Sequence, residues 1–180
     1  EAEGVKELID LGAYSINSLK RSVSFEADLA CFYRIHLLSR LPFRVLRQIA
    51  EFPCNGPDSL YFQIQEAFPW DVWISPSQTF RVDVSGSTFG LTHSHFSALQ
   101  VKNAIIDLQR KVFGKRSNIN LNNPDFCVHL HLNQGKGVVS LDSSSESLHR
   151  RGYRLAMGLA PLKENLAAGL IHKIQWDGSI

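Results

Sequence analysis

Ser94-His95-Phe96-Ser97-Ala98-Leu99-Gln100-Val101-Lys102-Asn103-Ala104-Ile105-Ile106-Asp107-Leu108-Gln109-Arg110-Lys111-Val112-Phe113 decides the fold class. Ala98, Val101, Ile105, Leu108 and Val112 advance by three and four, so a helix over this stretch carries one apolar stripe. Asn103, Asp107 and Arg110 fall on its other side. Gly114 supplies the stop. A helix this long with a single stripe must cover something. The flanking sequence offers a sheet. Upstream, Phe80-Arg81-Val82-Asp83-Val84 alternates as a half-buried strand. Downstream, Phe126 to Leu132 and Val138 to Leu141 are strands joined by the tight turn Asn133-Gln134-Gly135-Lys136, a hairpin. Ser59 to Phe68 predicts a second helix, opened by the loop Asn55-Gly56-Pro57-Asp58.

Further out, the N-terminal third has its own order. Val5 to Leu11 predicts the end of a helix stopped by Gly12. Tyr14 to Leu19 and Val23 to Phe25 predict two strands turned by Lys20-Arg21. Asp28 is placed to cap a helix carrying Leu29, Phe32, Tyr33, His36 and Leu37, which Pro42 ends near Ser39 or Arg40. Phe43 to Phe52 alternates at Phe43, Val45, Arg47 and Ile49 and predicts a strand. Helix, strand, strand, helix, strand is a split β-α-β plan, ferredoxin-like, lacking its first strand. At the other end, Ser143 to Ser147 is a polar break and Leu148 to Arg154 a short basic extended segment. Leu162 to Ile174 predicts a last helix with Pro161 in its first turn. There is no internal repeat and no low-complexity segment.

The chain has 180 residues, 44% hydrophobic and 20% charged, which suits a soluble globular protein. At this size a core needs neither disulfide nor metal. No apolar run reaches the ~20 residues of a membrane helix. The start, Glu1-Ala2-Glu3-Gly4, lacks the features of a signal peptide. Cys31, Cys54 and Cys127 are odd in number and far apart, with no Cys-x-x-Cys, so a reducing cytoplasm is expected. The net charge of +2 is unevenly spread. Arg34, Arg40, Arg44 and Arg47 stand without an acid between Cys31 and Ala50. Glu51 to Asp83 is acidic. Lys102, Arg110, Lys111, Lys115 and Arg116 then face Asp107 alone between His93 and Arg116. Such asymmetry marks either a polyanion-binding face or ordinary solvated faces.

Candidate chemistry is sparse. Cys127, His129 and His131 share one face of a strand, but ligands in a row on a flat strand diverge, so no metal is assigned and that face is read as its solvent side. His93-Ser94 opens the long helix, where backbone amides can hold a phosphate. No Gly-x-Ser-x-Gly, phosphate loop or dinucleotide fingerprint occurs. Asn122-Asn123-Pro124-Asp125-Phe126 is read as a turn. No catalytic residue is assigned.

Several stretches together resemble one family. Leu148-His149-Arg150-Arg151-Gly152-Tyr153-Arg154 followed by Ala160-Pro161-Leu162-Lys163-Glu164-Asn165-Leu166-Ala167-Ala168 is similar to the entry to the catalytic domain of bacterial ribosomal RNA guanine-N2 methyltransferases. Tyr33-Arg34 through Ser39-Arg40, Arg44-Val45-Leu46, Glu51-Phe52-Pro53-Cys54, Leu60-Tyr61, Ser75-Pro76 and Thr79-Phe80 are similar too. His93 to Asp107 resembles that family's main THUMP helix, and Asn122 to Asp125 and Ser140-Leu141-Asp142 its following strands. The resemblance implies an α+β chain of three parts. These are a ferredoxin-like subdomain at 1–54, a THUMP domain at 55–147, and a linker strand with the start of a Rossmann-like methyltransferase domain at 148–180.

It departs from the family in three ways. The first strand is missing. Asn103 stands where Asp is usual. Neither an Asp-Pro-x-Cys-Gly-x-Gly cofactor loop nor an Asn-Pro-Pro-Tyr/Phe motif lies within the 180 residues. The resemblance therefore implies S-adenosylmethionine for the parent protein and no cofactor for this chain. It implies RNA, of the large ribosomal subunit, as partner, with no membrane and no DNA expected. The expected phosphate contacts are Arg40, Arg44, His93, Ser94, Lys102, Arg110, Lys111, Lys115, Arg116, Arg150 and Arg151. Two other readings stay open: a protein-interaction or dimerisation module, and the RNA-binding module of a tRNA-modifying THUMP enzyme.

Overall fold

The computed structural model describes residues 1–176 apart from Ser145, Tyr153, Leu155, Met157 and Leu159. Its contacts divide the chain into two units, Glu1–Val45 with Glu146–Ile180, and Leu46–Ser145.

The first unit opens with helix α1 (Ala2–Asp10). Strands β1 (Tyr14–Leu19) and β2 (Ser22–Glu26) follow as an antiparallel hairpin. Helix α2 (Leu29–Leu38) starts where expected, because the Asp28 carboxylate accepts a hydrogen bond from Cys31 N at 2.6 Å. Leu8, Cys31, Ile35 and Val45 form its small core. Glu7 is buried, and its carboxylate is spent on the exit of α2. It accepts from Ser39 Oγ (2.5 Å) and from the backbone of Arg40 (2.7 Å). A buried carboxylate is tolerable only when satisfied in this way.

The second unit is built on a five-stranded sheet. Strand β3 (Leu46–Pro53) leads to helix α3 (Pro57–Ala67) and the one-turn helix α4 (Trp70–Trp73). Strand β4 (Thr79–Ser87), helix α5 (Ser94–Phe113), the two-residue strand β5 (Asn118–Ile119), and strands β6 (Phe126–Asn133) and β7 (Lys136–Asp142) complete it. The spatial order is β3-β7-β6-β4-β5. β4 runs parallel to both β6 and β5, whereas β6–β7 and β3–β7 are antiparallel. Phe80, Val128, Leu130, Leu132 and Val139 point to one face, where they meet Leu60, Ile64, Val101, Ala104 and Ile105 of the helices and the buried Trp70. The chain closes with helix α6 (Glu164–Lys173), counted with the first unit.

Four expectations need correction. The strand expected at Phe43–Phe52 runs over Leu46–Pro53 and pairs with β7 in the second sheet, not with the N-terminal hairpin. A bulge between Gln48 and Ala50 shifts the register, so Arg47 and Phe52 share a face. The odd-numbered alternation that ends at Ile49 is therefore broken. Leu148–Gly152 contains no strand; Leu148 and His149 form a turn closed by Arg150 N to Ser147 O (3.0 Å). Tyr153, within the expected linker strand, lies outside the described residues. Pro161 precedes α6 rather than entering its first turn, since Lys163 is the N-cap. Finally, the stripe of α5 does not stay buried to Val112, which is 53% exposed.

At that end of α5 the buried line passes through a polar residue. Gln109, fully buried, donates from Nε2 to Ile74 O (2.6 Å) and to Ser117 Oγ (2.9 Å), while its Oε1 accepts from Ser117 N (2.9 Å). Ser117 Oγ in turn donates to Ser75 O (2.9 Å). One amide thus ties the end of α5 to the exit of α4 and the approach to β5.

The sheet face opposite the helices is polar. Arg81 pairs with Asp83 (3.0 Å) and donates to Leu121 O (2.9 Å). The Cys127 thiol donates to Asp83 Oδ2 (3.3 Å). Ser85 Oγ sits 2.9 Å from His131 Nδ1 and 3.3 Å from His129 Nε2. The solvent-side reading of these three residues thus holds for His131, whereas Cys127 is buried. Among the described residues no group of three or more His, Cys, Asp or Glu is placed to hold a metal ion.

Replacing Gln109 by Leu should lower unfolding stability by roughly 2–4 kcal/mol, because it strands the Ser117 amide donor and the Ile74 carbonyl in the core. Urea unfolding with an unchanged slope checks this. A second expectation concerns alkaline pH. Burial first, then the Asp83 carboxylate, pushes the Cys127 thiol up to about 11 from 9.0. The unfolded chain gives up this proton first, so the contribution of the neutral thiol is full below about pH 9. It is lost as pH rises through the folded value. In unfolding measured from neutral pH into this range, Cys127→Ala should fall less steeply than the parent chain. Cys54, also pushed up by burial, is present in both.

Candidate nucleic-acid interface

The second unit positions seven of the expected phosphate contacts along α5 and just beyond it. His93 is the N-cap and makes no side-chain capping bond; His93 and Ser94 are exposed. The first amides of the helix therefore open on solvent with their partial positive charge. Arg110 and Lys111 lie in the last turn, and Lys115 and Arg116 follow Gly114, which closes the helix in the left-handed conformation at φ 65°. Sixteen residues of helix separate Ser94 from Arg110, roughly 24 Å at 1.5 Å per residue. The expected contacts thus fall into two groups, one at each end of α5, with half-buried Lys102 between them. On the helical wheel Lys102 and Arg110 are about 80° apart, while Lys111 is about 180° from Lys102. Lys102 and Arg110 share a side; Lys111 does not.

Arg110 is also engaged. Its Nη1 lies 3.4 Å from Asp107 Oδ1, and Asp107 Oδ2 accepts from the Tyr61 hydroxyl at 3.0 Å. Burial, with Asp107 beside it, raises the Tyr61 phenol above its usual range. Gln65 completes the seam, donating to Tyr61 Oη and to Ala104 O, each at 3.1 Å. A polar seam between α3 and α5 therefore holds the acid that partly offsets Arg110. At the other edge of the unit, Thr79 donates to Asp125 from both its amide (2.7 Å) and its hydroxyl (2.8 Å), which lowers that carboxyl below its ordinary range. The Asn122–Asp125 segment is thereby a pinned turn, as its sequence suggests.

The first unit holds the remaining four residues. Arg40 and Arg151 line one groove of about 590 Å³ together with His149, His172, Glu164 and the apolar side chains of Leu37 and Ile171. Arg151 is not held ready for a ligand. Its guanidinium donates to the carbonyls of His36 (2.7 Å), Leu37 (3.4 Å) and Ser39, closing the C-terminus of α2. Glu164 is paired with Arg154 at 3.3 Å. Arg40, Arg44 and Arg150 are exposed. Sequence reasoning missed the capping role of Arg151, since a guanidinium that caps a helix and one that binds phosphate look alike in a sequence. It also passed over Phe89, at 88% the most exposed of the large hydrophobic residues described. Its signal was the isolated aromatic between Ser87-Thr88 and Gly90.

The comparisons with known proteins fit this architecture. Residues 1–46 match the RlmL ferredoxin-like domain family, and residues 58–142 match the THUMP domain family. The ribosomal RNA large subunit methyltransferase K/L of Syntrophotalea carbinolica is 43% identical over 170 residues, 94% of this chain and 24% of the relative. The Pseudomonas aeruginosa protein of the same name is 41% identical over 172 residues, 96% of this chain and 24% of the relative. A solved structure from Listeria monocytogenes, described as a predicted N6-adenine-specific DNA methylase, aligns with a TM-score of 0.82 at 27% identity. It covers 98% of this chain and 46% of that one. The chain thus spans about a quarter of the methyltransferase K/L relatives, and 46% of a Synechocystis relative that is 44% identical to it. The chain thus carries a ferredoxin-like domain of the RlmL type followed by a THUMP domain, and over nearly its whole length it is similar to the ribosomal RNA large subunit methyltransferases K/L.

Proposed function

We propose that this chain is the RNA-binding region of an S-adenosylmethionine-dependent methyltransferase acting on a guanine exocyclic amine of large-subunit ribosomal RNA. The chain itself grips RNA and does not catalyse. The observation that carries the reading is the match of a THUMP domain to residues 58–142 directly after a ferredoxin-like domain of the RlmL type. The basic exit of α5 supports it, because exposed Lys111, Lys115 and Arg116 there suit phosphate oxygens. The names of the relatives support ribosomal RNA, and the motif resemblance of residues 148–168 supports guanine N2. Positioning is the physical purpose. A module that holds phosphates gives a tethered catalytic site a high effective concentration of its base.

The chain should bind RNA with a steep salt dependence. Replacing Lys102 and Arg110 together by Ala should weaken binding across RNA sequences and flatten the salt slope by ~1–2 units. The fold should survive, since the Arg110–Asp107 pair is exposed and such pairs contribute at most about 1 kcal/mol. Fluorescence anisotropy over a salt series checks this; a shallow slope in the parent chain would favour an apolar protein interface instead. In the same preparation, calorimetric titration with S-adenosylmethionine should show no binding, because the sequence holds no Gly-rich cofactor loop.

A further inference from the structure

We propose that Phe89 is a stacking platform for an unpaired RNA base, held at the carboxyl end of the parallel strands β4 and β6. This rests on the RNA-binding reading above and names one contact within it. The observation is an aromatic ring that is 88% exposed on a backbone with little freedom to move. Thr88 and Leu91 exchange backbone hydrogen bonds (3.0 and 3.3 Å), which closes a tight turn around Phe89-Gly90. Leu91, two residues on, is 1% exposed and anchors that turn in the core.

The near side of the turn is fixed as well. Gly86 sits at φ 75°, and a Cβ there would lie 2.0 Å from the carbonyl oxygen of Leu132, so β4 reaches the turn against β6 with no room to shift. Thr88 Oγ1 accepts from Gly135 N (2.8 Å), and Gly135 O accepts from Cys54 N (2.7 Å). Three connections, β3–α3, β4–α5 and β6–β7, are thereby tied together at one end of the sheet. With the backbone fixed this way, only the ring's own side-chain rotation remains to be ordered when a ligand arrives.

The surroundings favour a nucleic-acid base over a protein. From Val84 to Ile106 the chain carries no acid, and exposed His93, Ser94 and His95 follow the turn. These groups and the open amides of α5 suit the phosphates that flank a stacked base. A base needs one ring face to stack on, whereas a stable protein interface needs about 800 Å² on each partner. The place fits too, since open sheets take ligands outside the carboxyl ends of their parallel strands.

The test uses the 180-residue chain and two RNAs, a stem–loop carrying 2-aminopurine in its unpaired loop and a fully paired duplex. Phe89→Ala should weaken stem–loop binding about tenfold, abolish quenching of the 2-aminopurine, and leave duplex binding and the salt slope unchanged. Phe89→Trp should restore affinity and quenching. Phe89→Leu, which keeps apolar bulk without a ring, should behave like Phe89→Ala. Unchanged melting temperatures are expected for all three, because the side chain is outside the core. Stem–loop affinity and quenching unaltered in Phe89→Ala would overturn the stacking proposal and leave the RNA reading standing. A parent chain that binds neither RNA would overturn the RNA reading itself. A Phe89-dependent dimer in sedimentation, with no change in quenching, would assign the ring to a protein contact and overturn the proposal.

Discussion

Strands β4 and β6 run parallel and adjacent over Phe80–Ser87 and Phe126–Asn133, and no tight turn can join parallel neighbours. Everything from Thr88 to Asp125 is therefore a crossover, and α5 is its body. The other features of the second unit follow. A crossover helix must lie on one face of the sheet, so Val101, Ala104 and Ile105 meet Phe80, Val128 and Leu130 there. The opposite face is left to the intervening side chains, which are polar: Arg81, Asp83 and Ser85 on β4, His129 and His131 on β6. The same constraint sends the β4–α5 connection out past the carboxyl ends of the strands. The start of α5, the Phe89 turn and the β6–β7 hairpin therefore share one end.

The parts of this fold that were legible were those set by local chemistry. Asp28 as a cap, Gly114 as a stop, the Tyr14–Leu19 strand and the Asn133–Lys136 turn each follow from one to six residues and stand where the sequence puts them. What was not legible depended on partners far along the chain. The bulge at Gln48–Ala50 is imposed by pairing with β7, more than eighty residues away, and it inverts the face on which β3 presents its side chains. Strand β5 has two residues and exists only because β4 offers it an edge. Gln109 sits among apolar neighbours at helical spacing. Its partners, Ile74 O and Ser117, are joined to it by tertiary structure alone.

The site was legible in composition more than in geometry. Counting basic residues along a sequence treats each as available to a polyanion, yet several arginines here are engaged by backbone carbonyls. Arg34 donates to Leu11 O at the end of α1, Arg151 to the last carbonyls of α2, Arg81 to Leu121 O and Arg154 to Leu162 O. The planar guanidinium with its five donors suits a cluster of carbonyls as well as it suits a phosphate. A cationic run such as His149-Arg150-Arg151 is therefore part scaffold, and its charge overstates its electrostatic reach.

This distinction gives α5 two unlike ends. At its exit, Lys111, Lys115 and Arg116 are exposed, and an ammonium attracts any phosphate without regard to sequence. At its entrance there is little formal charge; an exposed ring, two imidazoles and unpaired amides stand there instead. Phosphate contacts set register while base contacts discriminate. On the proposed reading, the roughly 24 Å between the ends separates these tasks. The exit supplies affinity and salt dependence, and the entrance supplies preference for unpaired over paired RNA. The crossover that completes the sheet would then also fix the distance between holding an RNA and reading it.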